Sequence, residues 1–577
     1  MILKALYDYY HRCGNLPELG MEEKEIGFIL VISREGRFIR FEDCRLDNKH
    51  ARTFLVKKQV GRSSAPVANY LYDNCAYVLG FTDKEKERDK CKKCFDTFKS
   101  SIHFIAGLFP DNTDLKTLVR FYEQSQEDIL EAVSSDPLWE DIKKCLSKKY
   151  STFSFRIDGD LRILSEKKEI IRLDEDREQT EEKAICLITG KREKAVETTT
   201  ATMIPGSQAT AKLVAFQIKS GYDSYGKEKC RNAPISQEAE FAYTTALSTM
   251  LGKDSHNKFM VGNRTFLFWA SSQDDASEQA EDSLFDLLGL NATANADPNA
   301  RIEQVKKVFT AIYTGSLKTN LDDRFYILGL APNSARIAVV YWSETLLKDF
   351  AESILRHFHD MEIVDTLKEG KPYMGIRDML SAVTLGGKQS EAIPNLPEAV
   401  IKSIFQGTAY PYTLFSACIR RLRAESGEKG AVRIGRVAIL KAYLNRLNNN
   451  ELKINVMLDK NNTNQGYLCG RLFAVLEKAQ EDAMHLNSIR ERYMNAASAT
   501  PATVFATILN LSTHHMEKLG NTGAKVFYEK LKQEIVDKMP ATGFPAHLDL
   551  QDQGRFFIGY YHQRQDLFTK KEEQNND

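Results

Sequence analysis

The spacing of apolar residues changes once along the chain, near Leu346, and this change most constrains the fold. Before Leu346, short apolar runs come in pairs separated by turn residues, which is the pattern of β-hairpins. After Leu346, apolar residues recur every three to four positions, as on amphipathic helices. The sequence therefore predicts an α+β chain, with a mixed α/β N-terminal region containing β-hairpins and an all-α helical-bundle C-terminal domain.

Three hairpins are predicted from paired apolar runs in the N-terminal region, in addition to a hairpin turn at 158–160 that is described below. Their strand pairs are 25–33 with 37–42, 258–261 with 264–269, and 325–330 with 335–342. Helical periodicity marks 237–251, and the polar, small-residue stretch 271–299 predicts a surface insertion. Further on, Pro501 after Thr500 predicts the start of a helix. One later helix face is expected to carry Phe527, Leu531, Ile535 and Met539, which lie four residues apart.

A chain of 577 residues is too long for one hydrophobic core. We expect three parts: 1–185 with a basic loop, a central α/β region over 186–374, and the helical bundle over 375–577.

Composition limits the function without selecting one. The 79 basic and 79 acidic residues cancel, which argues against a chain that coats nucleic acid by bulk charge. Apolar runs such as Ile26–Ile32 are too short to span a bilayer, and the N-terminus lacks the features of a signal peptide. Ten cysteines without regular spacing are typical of a reducing cytosol. These features predict a cytoplasmic location and no membrane partner.

Several residue groups resemble metal or catalytic sites, but each has a simpler interpretation. The Cys91–Cys94 pair lacks a second ligand pair and is interpreted as surface thiols on a charged helix. His357 and His359, two residues apart on a helix, point to different faces, so the segment His357–Asp360 is interpreted as a polar helix surface. His514-His515 fails as a site by the same argument. Asp158-Gly159-Asp160 predicts a hairpin turn between 153–157 and 161–164.

The sequence thus predicts no catalytic residues, no metal and no cofactor. Phosphate-binding, dinucleotide-binding and common hydrolase motifs do not occur in it. A metal-dependent nuclease using Asp158, Asp160 or the His-rich helix remains an alternative, as does a purely architectural subunit without DNA contact.

Two clusters of basic residues are candidates for nucleic-acid binding. The first extends from Arg45 to Tyr72 and ends in the small-residue loop Gly61–Ser64, which suits contact with phosphates and base edges. The second lies between Arg420 and Arg446 and predicts a helical basic stripe for a nucleic-acid backbone or an acidic partner. For each cluster, a merely solvated surface is the alternative.

Beyond these patterns, the chain resembles the large subunit of the subtype I-C CRISPR Cascade, a bacterial surveillance complex. The similar segments occur in family order and span most of the chain: 69–80, 224–228, 232–236, 241–247, 325–336, 464–474, 497–501, 544–548 and 559–565. Similarity is weakest over 81–185 and 271–299. In the family, a proline commonly precedes the asparagine that begins the N-terminal segment, here Asn69 of 69–80. In this chain Ala68 precedes Asn69, and Pro66 lies two residues before Ala68. The DNA motif of the family is therefore not transferred to this chain.

The resemblance implies a non-catalytic subunit that recognises the protospacer-adjacent motif in duplex DNA. It also implies contact with the displaced strand during R-loop formation and a platform for the helicase–nuclease effector. Further implied partners are the guide crRNA, the backbone subunits, the subunit that binds the crRNA 5′ end, and a small subunit. Base pairing with the guide reads the rest of the target. The expected DNA-binding residues are Lys57, Lys58, Arg62, Ser63, Asn69, Tyr72 and Asn74, then Arg420, Arg421, Arg423, Lys441 and Arg446.

Met457 precedes a polar lead-in, 458–464, and then helical periodicity to the C-terminus. Subtype I-C loci make a separate small subunit from an internal start, so the resemblance suggests that translation also begins at Met457. The product 457–577 has the size of a small helical bundle.

Overall fold

The computed structural model describes residues 2–60, 62, 65–148, 150–171, 183–216, 223, 225–252, 255–287, 298–366, 375–387, 393, 395–425, 432–447, 453–486 and 488–568. Its strands are β1 Met21–Glu25, β2 Phe28–Ile32, β3 Phe38–Asp43, β4 Thr53–Lys57, β5 Tyr72–Asn74, β6 Thr152–Ile157, β7 Lys183–Ile185, β8 Arg192–Lys194, β9 Lys258–Val261, β10 Arg264–Ala270, β11 Arg324–Asn333 and β12 Arg336–Leu346.

Helices up to the last strand are α1 Ile2–Arg12, α2 Cys75–Val78, α3 Arg88–Leu108, α4 Thr113–Glu123, α5 Gln126–Ser134, α6 Trp139–Cys145, α7 Gln237–Leu251, α8 Asp275–Leu287 and α9 Pro298–Thr314. After it come α10 Leu347–Met361, α11 Ile376–Ala382, α12 Leu396–Phe405, α13 Tyr412–Ala424, α14 Ile434–Arg446, α15 Gln465–Met484, α16 Ser488–Ala497, α17 Pro501–Lys518, α18 Thr522–Val536 and α19 Leu550–Phe568.

The chain forms two compact units. The smaller unit comprises Cys13–Thr200 and Phe216–Ala246, and the larger comprises Met1–Arg12, Ala201–Ala215 and Leu247–Asp577. Neither unit coincides with one of the ranges 1–185, 186–374 and 375–577, which stay a prediction about separately folding parts.

The smaller unit is built on a mixed four-stranded sheet in the order β3-β2-β6-β5. Strand β2, Phe-Ile-Leu-Val-Ile, is buried on both faces, which explains its unbroken apolar run. It pairs in parallel with β6, with Phe28 opposite Phe153. The short strand β5 pairs antiparallel with β6 at the sheet edge, with Tyr72 opposite Ser154. This pairing positions the segment that carries the candidate site.

The larger unit packs helices against an antiparallel sheet in the order β12-β11-β10-β9. One hydrophobic core continues from Phe259 on β9 to Tyr561 on α19. Helices α15 and α19 cross with their backbones in contact: a Cβ on Gly470 would lie 1.9 Å from the Phe556 carbonyl oxygen, and one on Gly559 would lie 2.2 Å from that of Tyr467. Only glycine permits so close an approach of two backbones.

Most predictions from periodicity are confirmed. The three hairpins are present as β2–β3, β9–β10 and β11–β12. Strand β12 ends at Leu346 and α10 begins at Leu347, so the predicted change of structure is correctly placed. Helix α7 has the predicted bounds, and α17 begins at Pro501. The observed fold is α+β with a helical C-terminal region, as predicted.

Three local predictions are wrong. The stretch 271–299 is not a surface insertion, because α8 buries Ala276, Ala280 and Leu284 in the main core; residues 288–297 lie outside the described chain. Residues 158–160 form a turn with Gly159 at φ +88°, but no strand follows within the described residues up to 171, so there is no hairpin. Helix α18 ends at Val536, before Met539, and its Phe527 is exposed.

Candidate nucleic-acid interface

The first basic cluster leads from the end of β4 into a loop that ends at β5. The loop enters β5 through Leu71, which adopts φ +62° although it is not a glycine, with a buried side chain. This left-handed conformation costs of order 1–3 kcal/mol and must be held by surrounding contacts. The Leu71 carbonyl accepts a 3.1 Å hydrogen bond from the buried Ser154 hydroxyl. The end of the loop at Leu71 is therefore held in this conformation by the core beneath it.

Arg62 organises this loop through a buried carboxylate. Its guanidinium pairs with Asp73, donates a 2.8 Å hydrogen bond to the Val67 carbonyl and lies 4.1 Å from the centre of the Tyr77 ring. Asp73 is only 1% exposed and also accepts a 2.9 Å hydrogen bond from the Asn69 amide nitrogen. Burial raises the pKa of Asp73, whereas the Asn69 amide and Arg62 oppose this rise. In this conformation the charge of Arg62 is paired with a carboxylate of the protein itself.

Asn69 and Tyr72 are buried, so their predicted contact with DNA is not supported by their positions. The Asn69 side-chain oxygen accepts a 3.0 Å bond from the Val60 amide, and the Tyr72 hydroxyl donates to the Lys57 carbonyl at 2.9 Å. Burial raises the pKa of Tyr72, which stays a neutral hydrogen-bonding group. Both side chains fix the loop from below.

Lys57 and Lys58 come just before the loop, and their ammonium groups lie over aromatic rings. The Lys57 ammonium lies 4.8 Å from the Tyr70 ring centre. The Lys58 ammonium lies 3.1 Å from the Thr200 hydroxyl and 5.4 Å from the Phe241 ring centre. The predicted Ser63 lies outside the described residues.

Asn74 differs from its neighbours because its side chain is exposed. It occupies the residue before α2, where an asparagine usually accepts a hydrogen bond from the first turn of the helix. Here the side chain makes no such cap bond. Within the described part of the chain no hydrogen bond engages it, so its amide offers one acceptor and two donors to a ligand.

Asn74 lines a cavity of about 430 Å³, which we call the Asn74 cleft. Polar groups from Gln59, Thr82 and Ser147 also face it. Cations outnumber carboxylates among its described lining residues: Lys24, Arg62, Lys84, Lys143, Lys144 and Lys148 accompany Asp73, Asp83 and Glu87. Lys143, Lys144 and Lys148 were not predicted as site residues, although they cluster in the sequence; they lie where the family resemblance is weakest.

The second basic cluster does not form the predicted stripe. Lys441 and Arg446 are at most 4% exposed because α14 is enclosed by other helices of the larger unit. Arg446 pairs with Asp360 at 2.6 Å and donates to the Ser403 carbonyl at 2.6 Å. Burial lowers the pKa of Lys441. These two cations belong to the core, and their predicted surface role is corrected.

The other three expected DNA-binding residues of that cluster lie on α13. Arg420 is exposed, Arg421 pairs with Glu425, and the Arg423 Nε donates a 2.9 Å hydrogen bond to Asn495 on α16. Arg492 on α16 is also exposed. A basic surface thus exists here, but it is formed by α13 and α16 and not by α13 and α14.

The two cysteine candidates and His357 are core residues. Cys91 and Cys94 are buried on α3, so they are not surface thiols, and burial raises the pKa of Cys91 to about 11. His357 is fully buried with its Nδ1 2.7 Å from the Tyr410 hydroxyl, and only His359 fits the predicted polar surface.

The carboxylates of the alternative nuclease hypothesis have cation partners. Asp160 pairs with Lys167, and Asp158 lies 3.6 Å from Arg40. Across the described ranges, no group of three or more His, Cys, Asp or Glu side chains is arranged to hold a metal ion. In those same ranges, no helix is long and apolar enough to cross a membrane.

Comparison with known proteins identifies the family. No curated protein matches the chain significantly. A family model described as CRISPR-associated protein (Cas_Csd1) matches residues 6–568. Because this match covers nearly the whole sequence, the chain belongs to the CRISPR-associated Cas_Csd1 family, the family of the large subunit of the type I-C Cascade.

Proposed function

We propose that this chain recognises the protospacer-adjacent motif in duplex DNA through the Asn74 cleft, as the non-catalytic large subunit of a type I-C Cascade. Family membership implies partners within a CRISPR complex. The proposed partners are the crRNA, the backbone subunits, the subunit at the crRNA 5′ end, the small subunit and the helicase–nuclease. Beyond the short motif, pairing with the guide reads the target.

The observation that carries this proposal is the exposed, unpaired amide of Asn74 in a cleft rich in cations. An asparagine amide can bond an adenine edge in two places, and such a contact discriminates by about 1–3 kcal/mol against the wrong base. The neighbouring Arg62, Asn69 and Tyr72 act as positioning residues in this proposal, because their polar groups hold the loop that ends at Asn74.

The test replaces Asn74 with Ala in the assembled complex and measures binding to a library of sequences flanking one target. We expect a loss of preference at one or two flanking positions, by roughly 5- to 150-fold, from the energy of one bidentate base contact. Asn48→Ala is the matched control, since Asn48 is exposed in the same unit but does not line the cleft. Unchanged preference in Asn74→Ala would contradict motif recognition by this residue.

For the displaced strand we propose the basic surface of Arg420, Arg421 and Arg423. Its support is the exposure of Arg420 and the position of Arg423 beside α16, which adds the exposed Arg492. A surface that follows a nucleic-acid backbone adds salt-dependent affinity without sequence information. Charge reversal at Arg420 and Arg423 should therefore weaken protection of the displaced strand or effector recruitment and leave motif preference intact. Lost motif preference with intact strand protection would contradict this assignment.

A further inference from the structure

Three lysines from one segment, at the end of α6 and just after it, line the Asn74 cleft. Lys143 and Lys144 lie in the last turn of α6, and Lys148 follows after a turn in which its amide donates to the Cys145 carbonyl at 2.9 Å. All three line the cleft. Ile142 and Cys145 of the same segment are buried and anchor it to the core. The lysines are therefore presented from a fixed backbone; we call them the lysine wall.

The positive charge of the lysine wall is only weakly compensated. Lys143 pairs with Glu140 at 2.5 Å and Lys144 with Asp141 at 3.0 Å, one helical turn away. Exposed pairs of this kind contribute little, so a phosphate can displace the carboxylates. Among the described residues, none forms an ion pair with the exposed Lys148. The wall can therefore accept several anionic groups in succession.

The size of the cleft limits what can enter it. A volume of about 430 Å³ is in the range of pockets for a single small ligand. The major groove alone is about 12 Å wide, so the cleft can receive one strand at the edge of a duplex and not both strands together. The sugar–phosphate of that strand is small enough to enter, and Asn74 and Thr82 line the same cleft.

We infer that the lysine wall binds successive phosphates of one DNA strand beside the motif, while the bases of that strand face Asn74. This inference rests on the proposed function of the cleft and adds the strand contact that determines how the DNA lies across it. Phosphate contacts position the DNA, and base contacts specify its sequence. Removing the lysine wall should therefore change affinity, and removing the Asn74 amide should change motif preference.

The test replaces Lys143, Lys144 and Lys148 with Gln and measures binding of the assembled complex to target duplex over a range of salt concentrations. The magnitude of the slope of log affinity against log salt should fall by about 0.9 for each phosphate contact removed. Motif preference should not change. The matched control replaces the exposed Lys92, Lys93 and Lys116 of the same unit, which do not line the cleft, and should keep the parent slope. Lys148→Arg retains the charge and should keep the parent slope too.

The outcomes separate this inference from the function on which it rests. A parent-like slope in the lysine variant overturns the inference, even where Asn74→Ala abolishes motif preference. A lower slope with an unaffected Asn74→Ala variant supports the lysine wall and removes Asn74 as the reader. Loss of the other subunits from the purified lysine variant would instead assign the wall to an acidic protein partner and overturn the inference.

Discussion

Replacing Arg446 tests whether this residue of the second basic cluster stabilises the fold or binds DNA. The Arg446 side chain is 1% exposed, pairs with Asp360, and donates to the carbonyls of Ser403 and Thr408 at 2.6 and 2.5 Å. In Arg446→Met the volume is largely kept, but Asp360 is left as a buried carboxylate without its cation. Breaking a buried pair in this way costs about 3–5 kcal/mol. We expect the free energy of unfolding of the larger unit to fall by that amount.

Urea unfolding followed by tryptophan fluorescence provides the assay. The chain has three tryptophans, and replacing Trp139 with Phe leaves Trp269 and Trp342, both in the larger unit. Arg420→Met is the control from the same sequence cluster; because Arg420 is exposed, its effect should stay within about 0.5 kcal/mol. Adding Asp360→Asn to Arg446→Met should recover part of the loss, since it removes the unpaired charge.

One result would refute this reasoning. Suppose that Arg446→Met unfolds within about 1 kcal/mol of its parent and yet weakens DNA binding by the assembled complex. Arg446 would then be accessible to DNA, and the structural role derived from its burial would be wrong.

Three further predictions concern the helical region. Burial lowers the pKa of His562 to about 3, against about 6.5 in the unfolded chain. The neutral imidazole therefore stabilises the fold above pH 6.5, and up to about 5 kcal/mol of stability is lost as the pH falls from 6.5 to 3. In urea unfolding, His562→Asn should flatten the dependence of stability on pH over that range, and an unaltered dependence would contradict the prediction. Gly470→Ala should lower the free energy of unfolding by about 1–3 kcal/mol or more, because the added Cβ would meet the Phe556 carbonyl. Gly107→Ala on α3 is the control: open space surrounds this position, so thermal unfolding should show no loss of stability. We also propose that translation begins at Met457, because the close crossing of α15 and α19 lies wholly within 457–577. Intact-mass analysis of the purified complex should show the fragment 457–577, and a non-start codon at 457 should remove it. Absence of the fragment from the parent complex would contradict the proposal.

Local periodicity determined the secondary structure well because it needs only neighbouring residues. The hairpin of β9 and β10, the helix start at Pro501 and the change near Leu346 all follow from turn residues and apolar spacing. Where local signals failed, packing overrode composition: the small residues Ala276 and Ala280 looked like a surface loop but fit a close helix–core contact.

The sequence by itself determined the α+β order of elements, the family, and the presence of two basic clusters. It did not determine which cations are available, because charge along a chain carries no information about the partner that folding brings beside it. Arg446 pairs with Asp360, 86 residues away in the sequence, and is a core residue, whereas Arg420 is exposed. Lys148 and Asn74, 74 positions apart, came to line one cleft because β5 and β6 pair at the sheet edge. Burial and proximity between distant segments are properties of the packed chain, so only the tertiary structure decided which cations and polar side chains of this protein come together at its surface.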